Sequence, residues 1–155
     1  MSLSKNILFF LFTFFLAPFL STALYAAEIE DVLIHYDKLN ASITSQNLSE
    51  LKTHTNQMIK LIHSLEKKEQ KKVLNYSVLK LEEMITTDNW ELIKNNFNIV
   101  SQGLLIIIEK ELPNSKYRRY YCPMEKKYWI QNTAKVEKVH NPYAPDSMPH
   151  CGQKI

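Results

Sequence analysis

No proline interrupts the chain between Pro18 and Pro113, and the only glycine in that interval is Gly103. Proline breaks helix interiors and glycine weakens them, so this long interval is free to be helical. The remainder is not. Of six prolines, five follow Leu112, together with five of the eight tyrosines. The composition therefore divides the chain into a helix-permissive body and an aromatic, proline-punctuated tail.

Within the body, apolar residues recur at three- and four-residue steps, the signature of helices with one buried face. Ile29, Val32, Leu33, Tyr36, Leu39 and Ile43 predict a first helix over Glu28–Thr44, with acidic Glu28, Glu30 and Asp31 in its first turn favouring the helix dipole. Asn47 with Glu50 forms a capping-box signal for a second helix running to about Glu66, with Leu48, Leu51, Thr55, Met58, Ile59, Ile62 and Leu65 inward. A third spans roughly Glu69–Thr86 on Val73, Leu74, Ser77, Val78, Leu81, Met84 and Ile85. Asp88 with Glu91 repeats the cap signal for a fourth, which runs to about Glu111 on Trp90, Ile93, Phe97, Val100, Leu104, Ile107 and Ile108. Short polar links between four amphipathic helices predict an all-α protein, an antiparallel four-helix bundle. Burial of one stripe per helix, at about 25 cal/mol per Å², is its main stabilising term. The tail is expected to be irregular, with room for a hairpin in which Tyr117–Cys122 and Lys127–Gln131 pair across Pro123–Lys126.

The N-terminus reads as an export signal. Lys5 precedes an apolar run from Ile7 to Leu20, broken only by Thr13 and Pro18, and small residues follow at Ser21–Ala23 and Ala26–Ala27. An uncleaved anchor is the competing reading, although the run is shorter than the ~20 residues a span needs. The expected organisation is a signal over 1–27, a bundle over 28–112 and a tail over 113–155 packed on it, one domain in all, destined for the periplasm or the exterior. The formal net charge of +3 is too small for the dense basic footprint of a nucleic-acid binder. The lysine-rich run Glu66–Lys72 reads as a solvated helix connection.

The tail holds the only two cysteines, each near a methionine: Tyr121-Cys122-Pro123-Met124 and Met148-Pro149-His150-Cys151-Gly152. Two cysteines in an oxidising compartment suit a Cys122–Cys151 disulfide. The same thiolates, with the thioethers of Met124 and Met148 and the His150 imidazole, suit a soft ion, Cu(I) foremost. Zinc is a poorer fit, because four Cys/His ligands are reached only by recruiting His140. His54 and Met58, one turn apart, invite comparison with haem-bearing bundles, but no Cys-x-x-Cys-His is present for covalent haem. His35 and His63 read as surface or boundary residues. No Cys-x-x-Cys, His-Glu-x-x-His, Gly-rich phosphate loop or nucleophile elbow occurs, so no enzyme is expected.

The succession Tyr121-Cys122-Pro123-Met124, Trp129, Asn141-Pro142-Tyr143, Met148 and Cys151-Gly152 resembles a family of helical periplasmic domains of unknown function, found alone or appended to CusB-like heavy-metal efflux adaptors. The motif covers roughly the last quarter of the chain. It implies a copper- or heavy-metal-linked periplasmic role and carries the family's sulfur positions onto Cys122, Met124, Met148 and Cys151. Ala144-Pro145-Asp146 departs from the aromatic and glycine that usually follow the Asn-Pro-Tyr turn, and His150 is not a family hallmark. With the resemblance, the expected function is sequestration or transfer of Cu(I), with a heavy-metal efflux component or copper chaperone as partner. The alternative is a disulfide-stapled adaptor module that binds another envelope or efflux protein without metal.

Overall fold

The computed structural model describes residues 27–155, so the apolar segment read as an export signal lies outside the described residues. Four helices come first: α1 (27–44), α2 (Leu48–Ser64), α3 (Lys68–Thr86) and α4 (Trp90–Glu111). Three strands follow: β1 (Tyr117–Cys122), β2 (Lys127–Asn132) and β3 (Gln153–Lys154). They form one antiparallel sheet in the order β2-β1-β3. The protein is therefore mixed α/β, and the expectation of an all-α four-helix bundle with an irregular tail is overturned. The reason lies in the chain's last residues. Beyond Cys151 they return alongside β1, pairing Gln153 with Tyr121 and Lys154 with Tyr120.

All six apolar positions that define α1 are buried. The helix closes through Gln46, which adopts a left-handed φ of 51°. The Asn47 side chain then accepts the Glu50 N–H at 3.2 Å, capping α2. Only this half of the capping box forms, because the Asn47 N–H bonds to Ser42 O instead. Residues 45–47 join α1 and α2 as an antiparallel pair, with Glu28 reaching the Glu66 N–H beyond the far end of α2 and His35 facing His54. At the fourth helix the cap falls one residue later than the spacing predicted. Asn89 accepts N–H bonds from Glu91 and Leu92, while Asp88 pairs with Lys52 at 2.8 Å.

The inward stripe of α3 differs from expectation at two positions, since Val73 faces outward and Gln70 is buried. Ser77, expected inward, is buried against α4. A Cβ on Gly103 would stand 2.2 Å from Ser77 Oγ, so the two helices approach where both residues are small.

β1 and β2 form the hairpin that the tail allowed, in register from Tyr117↔Asn132 to Cys122↔Lys127. The Pro123–Lys126 turn closes with Lys126 N–H on Cys122 O at 2.8 Å and a left-handed Lys126, φ 55°. The sheet is fixed to the helices through one buried hydroxyl. Tyr36 Oη of α1 accepts the Ile130 N–H of β2 at 3.0 Å and lies 2.7 Å from Ser101 Oγ of α4. Ser101 Oγ donates its own proton to Phe97 O at 2.8 Å, so Tyr36 donates to Ser101. Burial holds the Tyr36 hydroxyl far above its ordinary value, and it stays protonated.

Tyr36→Phe removes one oxygen and strands the Ile130 N–H in the core. The expected cost is about 1–3 kcal/mol, read as a lower urea midpoint with an unchanged helical circular dichroism spectrum. An unchanged midpoint would show that the sheet does not depend on this bond.

Candidate functional site

Cys122 ends β1 and is fully buried; Cys151 lies just before β3 and is half-buried. Their sulfurs are joined as a disulfide, with Cα atoms 5.5 Å apart and a sequence separation of 29. Of the five sequence-predicted site residues, these are the two the structure brings into a bond. Met124 stands on the hairpin turn and is 72% exposed. Met148 is half-buried, and its backbone carbonyl accepts both the Cys151 N–H at 3.1 Å and the Asn141 amide at 3.1 Å. His150 is exposed, with Nδ1 2.8 Å from Val139 O and its ring edge-on to His140, centroids 6.0 Å apart.

Asn141 organises the second sulfur arm. Its N–H bonds Pro149 O at 2.9 Å, its Oδ1 accepts the Tyr143 N–H at 3.0 Å, and its Nδ2 also points at Cys122 Sγ at 3.8 Å. A second donor, the Glu125 N–H, reaches the same sulfur at 3.5 Å. Tyr143, two residues on, is buried and donates its hydroxyl to Tyr128 O, pinning the loop to β2. Burial raises that hydroxyl well above its ordinary value.

Trp129 is fully buried between the two arms, stacked on Tyr120 at 5.6 Å and edge-on to Tyr143 at 6.1 Å. Among the described residues its indole N–H finds no acceptor. Gly152 passes directly over this ring. A Cβ there would stand 2.3 Å from the indole, and the φ of 155° disfavours any other residue. The Cys-Gly ending thus has a packing role that the spacing of sulfur donors did not reveal.

With both sulfurs paired, neither cysteine can act as a thiolate ligand, so the donor set does not fit a metal in this state. Among the described residues no group of three or more His, Cys, Asp or Glu side chains is placed to hold an ion. Sequence reasoning missed two further features. One is a cleft of about 430 Å³ between α1 and the segment after β2, walled by Asp37, Thr44, Gln131, Lys135 and His140. Asp37 there accepts Lys135 Nζ at 3.0 Å and the Tyr117 hydroxyl at 3.3 Å; burial and this carboxylate push Tyr117 up to about 12. The other is a contact between His35 and His54, Nδ1 to Nδ1 3.3 Å, across the first two helices. No pattern announces it, because the two residues are 19 apart in sequence and on different helices, and the spacing of His54 directs attention to Met58 instead. Also among the described residues, no helix is long and apolar enough to cross a membrane.

Compared with profiles of known protein families, with curated proteins and with solved structures, the chain matches none.

A loop of this length makes the cross-link worth about 3–4 kcal/mol on the chain-entropy account. Reduction, or the Cys122→Ala/Cys151→Ala pair, is expected to lower the urea-derived stability by that amount while the helical signal persists. A reduced protein as stable as the oxidised one would contradict this role. Gly152→Ala, through its clash with Trp129, is expected to cost about 1–3 kcal/mol. The tryptophan emission should shift as the ring is displaced, and an unmoved spectrum with full stability would refute the close approach.

Proposed function

We propose that the chain is an exported, non-enzymatic α/β module, stapled by Cys122–Cys151, that works by binding another protein of the cell envelope. The observation that carries this reading is the disulfide itself. It ties the end of the hairpin to the returning arm, and such a cross-link persists in oxidising compartments such as the periplasm. The likeness of the tail motif to domains appended to heavy-metal efflux adaptors suggests an efflux component as the partner.

A second reading, Cu(I) sequestration by the reduced tail, has its own support. Two N–H groups are directed at Cys122 Sγ, and hydrogen bonds to sulfur favour a thiolate once the bond is opened. Met124 is exposed two residues away, and Met148 sits three residues before Cys151. A thioether beside a thiolate suits Cu(I).

Protein recovered from the periplasm without reductant separates the two readings by thiol titration, followed by anaerobic Cu(I) titration against a competing chelator. The stapled module predicts no free thiol and no tight Cu(I) binding before reduction. Two free thiols in the recovered protein, with about one Cu(I) bound per chain and lost in Cys122→Ser, would replace it with the copper reading.

A further inference from the structure

His35 of α1 and His54 of α2 face each other across the antiparallel helix pair, ring centroids 5.5 Å apart and planes inclined by 46°. Both side chains are half-buried. Their Nδ1 atoms are 3.3 Å apart. That is long for a hydrogen bond from a ring N–H, whose usual length is about 2.9–3.0 Å. It does match the edge of a coordination tetrahedron. With metal–nitrogen bonds of about 2.0–2.1 Å, two ligands of a tetrahedral ion lie about 3.3–3.4 Å apart. Cis nitrogens of a square-planar or octahedral ion would lie only about 2.8–3.0 Å apart.

The surroundings have mixed effects. Burial first, and Lys38 second, hold both imidazoles below their ordinary value, so both are in the neutral, ligating form near pH 7. Lys38 also opposes a cation. Two carboxylates offset it: Asp31, one turn before His35, and Glu50, one turn before His54, each close enough to act on the imidazole of its own helix. Because the helices are antiparallel, these carboxylates flank the pair from opposite ends and lower the repulsion a cation meets there, and solvent water would fill the remaining coordination positions.

We infer that His35 and His54 form a two-histidine site for a divalent transition-metal ion of tetrahedral preference, Zn²⁺ foremost, on the α1–α2 face. The site goes beyond the proposed function. It needs neither cysteine and is present with the disulfide intact.

The test uses the oxidised full chain, titrated with Co²⁺ and then Zn²⁺. The expected result is the intense visible absorption of tetrahedral Co²⁺, saturating at about one ion per chain and abolished by Zn²⁺. His35→Gln and His54→Gln should each weaken binding at least about tenfold, a loss on the order of one good ligand. His63→Gln and the His140→Gln/His150→Gln pair should leave it unchanged. No tetrahedral spectrum, binding indifferent to His35 and His54, or binding lost with His140 and His150 would each overturn the site. Should the α1 or α2 variants fail to fold, ring-nitrogen NMR of the unaltered protein decides. Zn²⁺ must move the Nδ1 resonances of His35 and His54, and static resonances there would overturn the proposal equally.

Discussion

The Tyr36 hydroxyl is the point at which the sheet meets the helices. It takes a proton from the backbone of β2 and gives one to Ser101, which passes its own to Phe97 O. Every member of this chain is buried, so each would cost free energy if unpaired, and each is paired. Three elements distant in sequence thereby acquire one relative placement. The apolar contact around the hydroxyl, Tyr36 stacked on Phe97 at 4.9 Å, is less selective, because hydrophobic attraction alone tolerates sliding. The hydrogen bonds fix which residue of β2 lies over the junction.

From that placement the tail follows. With β2 held against α1 and α4 through its Ile130 N–H, successive side chains of the strand project to opposite faces, Trp129 to one and Ile130 to the other. The loop from Asn141 to Gly152 covers the Trp129 face, with Tyr143 against one side of the indole and Gly152 against another. This is why four consecutive residues of β2, Trp129 to Asn132, are all buried, where a sheet with one wet face would alternate. The disulfide then locks a cover that aromatic packing had already placed.

How much of this was legible depended on range. The helices were readable because their period is local, and each predicted stripe but that of α3 matches the buried face closely. In α3 the expected Val73 lies outward and Gln70 inward, while Ser77, expected inward, packs against Gly103 of α4, a partner the periodicity of α3 does not register. The hairpin was readable from its turn and its aromatic runs. β3 was not, because Gln153 and Lys154 have no strand character and pair with β1 only through the long-range course of the loop that returns them there. That two-residue strand is what turns a bundle with a hairpin into a protein with a three-stranded sheet. At the candidate site, the nearness of the cysteines was legible from their being the only two. The outward course of Met124 and the particular side-chain bonds of Asn141 were not, since both depend on side-chain direction.

The two proposed states of the tail are connected by this same geometry. Opening the disulfide removes one tether from the arm, but Asn141 still bonds to Met148 O and Pro149 O, and Tyr143 still reaches Tyr128 O. None of these bonds involves the Cys151 sulfur. The arm would therefore lose its covalent link without losing its course, and Cys151 would remain near a Cys122 already supplied with two N–H donors. Preorganisation of this kind lowers the entropic cost of forming the bond again or of gathering donors around a soft ion. The fold thus favours whichever sulfur chemistry the compartment imposes, and the surface position of Met124, on a turn free to reorient its side chain, is what differs in consequence between them.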